Sequence, residues 1–273
     1  MGFMLRVLFL LAALLVCGCS GKSTSSSTYE IGIDPSWYPL QLAGHEKNVL
    51  AFSIELLTTI SRKENLELAV QNMNWNNLLW GLKEQKYNAV LSSLRPYVFY
   101  ENRFAFSDPY LLTGPVIVTP KNSPIQGLDD LKGKEVAVVR GSSAALILQT
   151  TPGIILKGYD SISFALEAIE FGSVNAGALE VLIVQNFIRD LYSDSLEIVG
   201  SSLSDEGLRL VSLFHESPLL LKRFNEGLLK LKKSGEYEKL LEKWGLSPDG
   251  KAIANLDQEI EYLLNNSGSL QIR

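Results

Sequence analysis

Cysteine and histidine are nearly absent from these 273 residues, with two of each. Both cysteines, Cys17 and Cys19, fall in the opening segment, so the rest of the chain has no disulfide of its own and no thiol site. His45 and His215 stand in no ligand-like spacing, so neither a metal site nor a cofactor is expected. There is no basic tract. With 25 Lys and Arg against 30 Asp and Glu the net charge is −5, which argues against a nucleic-acid partner. No period of 20 to 50 residues recurs, which excludes a solenoid. A hydrophobic content of 46% is enough for a core, in one large domain or two small ones.

The opening stretch "MGFMLRVLFLLAALLVCGCS" carries one charge, Arg6, and then an apolar run from Val7 to Val16 that is short for a membrane span. It reads as a signal peptide over residues 1–18. The ending "VCGC", Val16 to Cys19, resembles a bacterial lipobox, with Cys19 as the lipid-bearing residue. Cys17 fits less well, because bulky Val16 precedes it. An ordinary signal peptide with incidental cysteines is the alternative. Residues 19–28 are polar and read as a flexible tether.

From Tyr29 onward short apolar runs alternate with helical periods. "AFSIELLTTISRK" puts Phe52, Leu56, Leu57 and Ile60 on one helical face, and Asn74 stands as a cap before Leu78, Leu79 and Leu82. "YNAVLSSL", "GPVIVTP", "EVAVV", "NAGALE", "LEIVG" and "LRLVSLF" read as strands, and the chain turns helical from Ser217. This alternation predicts an α/β protein with mainly parallel sheets. Turn formers near Gly114–Pro115 and Ser204–Gly207 suggest two lobes. Residues 29–113 and 207–248 would form the first, 114–206 the inserted second, and 249–273 a tail. In the tail, Ile253, Leu256, Ile260 and Leu263 share a helical stripe, suited to packing on the chain's own lobe or on a partner.

Ligands in such folds bind beyond the carboxyl ends of strands. That rule singles out the end of "YEIGID", the serines after "NAVL", "RGSS" after "EVAVV", and Glu180 after "NAGAL". All four would open into one cleft between the lobes.

The order of motifs from about Tyr29 to Gly245 resembles the amino-acid-binding solute receptors of bacterial ABC importers, the family-3 type with a two-lobed type II periplasmic-binding fold. "GIDPSWYPLQ", "AFSIELLTTI", "FAFSDPY", "LDDLKGKEVAVVRGSS" and "LKKSGEYEKLLEKWG" carry the resemblance. It implies that Asp34, Trp37 and Trp75 line the first lobe, with the two tryptophans sandwiching the ligand side chain. It implies that Ser92 and Ser93 meet the ligand's amino group and that Glu180 pairs with the α-ammonium. Ser142 and Ser143 open a helix, a favourable place for a carboxylate. The family's carboxylate-clamping arginine is missing: Tyr100 stands six residues before Phe106, where it would be. Arg95, three residues after Ser92, reads as a relocated clamp. The alternatives are a loop charge stacked on nearby tyrosines, or a ligand without an α-carboxylate in the usual place.

The resemblance implies a lipid-anchored protein outside the cytoplasm, periplasmic or on the outer face of the cell membrane. It would deliver a small amino acid or related amine to the permease of an ABC importer, with no catalysis. An enzyme on the same fold, similar to the cyclohexadienyl and arogenate dehydratases, is the competing reading. A ligand-sensing module is a third.

Overall fold

The computed structural model describes residues 28–38, 40, 42, 44–247, 255–266 and 270–272. The signal-peptide segment, Cys19 and most of the tether lie outside the described residues, as does Ile253. The chain begins with strand β1 (Tyr29–Ile33), helix α1 (Glu46–Glu64), β2 (Leu68–Asn72), α2 (Trp75–Lys83) and β3 (Ala89–Ser92). A single helical turn α3 (Val98–Glu101) and the short strands β4 (Phe104–Phe106) and β5 (Leu111–Leu112) follow. The next run is β6 (Pro115–Pro120), β7 (Glu135–Val139), α4 (Ser143–Gln149), β8 (Ile155–Tyr159), α5 (Ile162–Glu170), β9 (Ala176–Glu180), α6 (Val181–Leu191) and β10 (Leu196–Val199). The chain then forms β11 (Gly207–Leu213), α7 (Pro218–Ser234), α8 (Glu236–Lys243), α9 (Leu256–Asn266) and β12 (Leu270–Ile272).

These strands make two sheets. One runs β12-β2-β1-β3-β11-β4, with β5 also on β11; the other runs β10-β6-β9-β7-β8. Every strand of the second sheet comes from between Pro115 and Val199. Both sheets are mixed. The β-α-β stretches give parallel pairs, β1 with β2 and β3, and β7 with β8 and β9. The strands flanking the crossings between lobes, β6 and β11, run antiparallel to their neighbours.

Period-two alternation sends each strand's side chains to two cores. In β3, Ala89 and Leu91 join the large cluster around Phe52, Ile60, Phe224 and Trp244, while Val90 joins Leu78, Leu82 and Tyr87 on the opposite face. In β6, Val116 and Val118 face the α5 side with Leu166 and Ile169, and Ile117 faces Ala144 and Leu148 of α4. Phe52, Leu56, Leu57 and Ile60 of α1 are all buried, each contributing about 1.5–3 kcal/mol of transfer free energy. Helix α9 packs Leu256, Ile260 and Leu263 against this first-lobe core. Strand β12, which the sequence reading did not foresee, extends the sheet beside β2.

Two segments join the lobes, and they run side by side. Thr113 N–H donates to Glu206 O at 2.9 Å, and Leu203 N–H donates to Pro115 O at 2.8 Å. Space there is tight: a Cβ added at Gly207 would meet the Leu111 carbonyl oxygen at 2.5 Å. Backbone cannot yield as a flexible side chain would. Gly207→Ala is therefore expected to cost about 1–3 kcal/mol, the range for overpacking, read as a lower urea midpoint with unchanged slope.

Candidate ligand cleft

A cavity of about 530 Å³ lies where the lobes meet. Its second-lobe wall is the carboxyl end of β7 and the start of α4, Val139 to Ser143, together with Glu180, Leu182 and Ile183. The first lobe contributes Leu40 and Leu42, and the connecting segments contribute Thr113 and Glu206. A second hollow of about 430 Å³, between α1 and α8, is lined by Glu55, Arg62, Lys63, Glu236 and Lys239. Its Lys63 and Glu236 already pair at 2.9 Å, and no strand end opens into it. The first cavity is therefore the candidate site.

Of the residues singled out from sequence, Ser142, Ser143 and Glu180 line this cavity. Ser142 caps α4, its Oγ accepting from Ala145 N–H at 3.2 Å. Ser143 opens the helix, where first-turn amides have no partner inside the helix. Glu180 ends β9 and precedes α6 without making a side-chain cap, so its carboxylate is left for the cleft. Burial pushes that carboxyl up from its ordinary value. Nearby Glu206 adds to the shift, and a bond from its own backbone N–H partly offsets it.

The first-lobe residues sit off the cavity wall. Asp34 is buried and its Oδ1 accepts from Ser36 N–H at 2.9 Å and Ser36 Oγ–H at 2.7 Å, so it is spent on organising a turn. Ser92 is buried, with its Oγ accepting from Leu94 N–H at 3.1 Å, and Ser93 is half-buried next to it. Trp37 requires a correction. It was expected to face the ligand opposite Trp75, but it adopts a left-handed backbone (φ 57°) and turns into the first-lobe core. Its indole N–H donates to Glu46 O at 3.1 Å. The ring beside Trp75 is instead Tyr38, 6.0 Å away edge to face and 59% exposed. Adjacent aromatics in a turn point apart, and the dipeptide Trp37-Tyr38 carried that signal.

Arg95 also departs from expectation. Its Nη2 lies 2.6 Å from Oε1 of Glu206, and the guanidinium sits 6.0 Å from the Tyr97 ring. Arg95 does not line the cavity, whereas Glu206 does. One guanidinium nitrogen is thus already engaged by a carboxylate of the protein itself. Glu206 was passed over in the sequence as part of a turn. The signal for it was an acid placed directly before a strand that returns between lobes. Below the cavity, His45 Nε2 accepts from Asn186 Nδ2 at 2.8 Å, a bond between lobes, and burial lowers the His45 pKa. Among the described residues no cluster of His, Cys, Asp or Glu could hold a metal ion.

This architecture has a family. Residues 29–247 match the model of the bacterial extracellular solute-binding proteins, family 3. The chain belongs to that family. Its members are binding proteins rather than enzymes. The chain is 28% identical over 239 residues to the arginine-binding extracellular protein ArtP of Bacillus subtilis, covering 85% of this chain and 92% of that one. It is 27% identical over 242 residues to the lysine/arginine/ornithine-binding periplasmic protein of Escherichia coli, covering 82% and 92%. Among solved structures it superposes on the L-cystine solute receptor of Neisseria gonorrhoeae in the unliganded open conformation, with TM-score 0.61, 20% identity and coverage of 84% and 96%. The fold is the two-lobed type II periplasmic-binding fold. Among the described residues, no helix of this solute-binding protein is long and apolar enough to cross a membrane.

The raised pKa of Glu180 has a sign that can be measured. A carboxyl whose folded pKa is raised contributes stability that is full below its unfolded pKa and is lost as pH rises through the folded value. Ionised Glu180 therefore weakens the ligand-free protein at pH 7. Glu180→Gln is expected to raise the thermal midpoint at pH 7 and to leave it near the parent's at pH 4.

Proposed function

We propose that this solute-binding protein captures a small amino acid or related amine in the cleft and hands it to the permease of an ABC importer. The observation that carries this reading is Glu180: a partly buried, uncapped carboxylate on the wall of an inter-lobe cavity. A buried charge without a partner is costly, and a ligand ammonium removes that cost. The α-carboxylate goes to the hydroxyls and first-turn amides of Ser142 and Ser143. Tyr38 and Trp75 offer aromatic faces to the ligand side chain, and Ser92, Ser93 and Asp34 approach as the lobes, residues 114–206 against the rest, close about their two connecting segments. The relatives named for arginine and for lysine, arginine and ornithine support an amino-acid ligand. Catalysis is not part of the proposal, since the relatives are named as binding proteins.

Ligand should stabilise the closed form by mass action, by about 2.7 kcal/mol at a hundredfold excess over Kd. A thermal-shift panel of the common amino acids and amines, followed by small-angle scattering with the best of them, tests this. Stabilisation with compaction is the expected result. No shift from any of them, or turnover of a prephenate-like acid, would favour the dehydratase-like alternative.

We also propose that residues 1–18 are removed and that Cys19 carries a lipid, holding the protein on the outer face of a membrane through the 19–28 tether. Cys19→Ser should move the protein from the membrane fraction to the soluble one, or leave the precursor uncut. Unchanged fractionation and mass would rule out the anchor.

A further inference from the structure

The cleft holds a charge that the pairing of Glu180 with an ammonium leaves unused. Glu206 is 9% exposed and lines the cavity. Its Oε1 is shut off from solvent and faces Arg95 Nη2 at 2.6 Å, a contact of charge with charge rather than an aligned hydrogen bond. Glu206 lines the cavity and Arg95 does not. Backbone on either side fixes the position, with Glu206 O accepting from Thr113 N–H and Gly207 pressed against Leu111 O. Glu180 and Glu206 both line the cavity, and Arg95 pairs with Glu206. Arg140, the cation on the wall, is paired with Asp160. One negative charge is left over at the cavity.

We propose that Glu206 is the residue that selects a net-cationic ligand. Arg95 acts as its fixed counter-ion, and the charge left over in the cavity is matched by an amino acid with a cationic side chain. This rests on the receptor reading above and narrows its ligand class. A neutral amino acid brings its own ammonium and carboxylate and leaves the extra charge buried without compensation; an acidic one adds a second. Arg95 works here through Glu206 and is a positioning residue.

The test is calorimetric titration of the protein with L-arginine, L-lysine, L-glutamine and L-citrulline. Citrulline keeps the length and shape of arginine and lacks its charge. The parent protein should prefer arginine or lysine over both neutral ligands by about tenfold or more, equivalent to about 1.4 kcal/mol. Glu206→Gln should erase most of that preference, by weakening the basic ligands while the neutral ones bind as before or more tightly. Glu206→Asp should restore part of it. A parent that binds citrulline as well as arginine, and lysine no better than glutamine, overturns the proposal without any variant and leaves the receptor reading standing. Equal losses for all four ligands in Glu206→Gln would reduce Glu206 to a structural role. Tighter arginine binding in that variant would make Glu206 a competitor for Arg95. Either outcome overturns the proposal. A parent that binds no amino acid at all defeats the receptor reading, and this inference with it.

Discussion

The molecule turns on two backbone hydrogen bonds between the segments that join its lobes, Thr113 N–H to Glu206 O and Leu203 N–H to Pro115 O. Because the connection is double and paired, the lobes can rock about it but cannot separate or twist freely. Thr113 and Glu206 lie on these segments, Trp75 on one lobe and Ser142 on the other. The crowding of Gly207 against Leu111 O belongs to the same constraint, since a close-packed crossing leaves no room for a Cβ.

The electrostatics follow from that placement. Both Glu180 and Glu206 end or adjoin strands, so the sheet rather than a flexible loop sets their positions. Desolvation raises the carboxyl of Glu180, and Glu206 raises it further. Arg95 relieves Glu206 alone. An internal ion pair of this kind contributes little net stability once desolvation is counted.

Much of this was legible in the sequence, because it follows from local periods. The buried face of α1, the Asn74 and Ser142 caps, and the placement of Ser142, Ser143 and Glu180 beyond strand ends required only spacing and strand direction. Trp37 and Arg95 depart from the expectation because each is set by a contact outside its own motif. The direction of Trp37 is set by a left-handed residue and by Glu46 O. That of Arg95 is set by Glu206, 111 positions later, brought near because β11 lies antiparallel to β3. Motif order placed these residues in the correct region, but it gives no information on which of two neighbouring aromatics turns inward. Strands β5 and β12, with two and three residues, are too short to show a period.

The tail bears on the cleft through the sheet it completes. Without β12, strand β2 would be an edge with unpaired backbone groups, open to pairing with another chain. β12 pairs along Leu68 to Val70 and covers that edge, and α9 seats Leu256, Ile260 and Leu263 on the first-lobe core. Lys47 on α1 meets Asp257 on α9 at 2.6 Å, an exposed pair that contributes little by itself. The apolar contact is what ties the tail to α1, the helix whose first turn also holds the Trp37 indole through Glu46 O. Trp37 in turn belongs to the turn that presents Tyr38 beside Trp75. Packing at the far end of the sheet thus supports the Tyr38–Trp75 pair through a chain of contacts that remains inside one lobe.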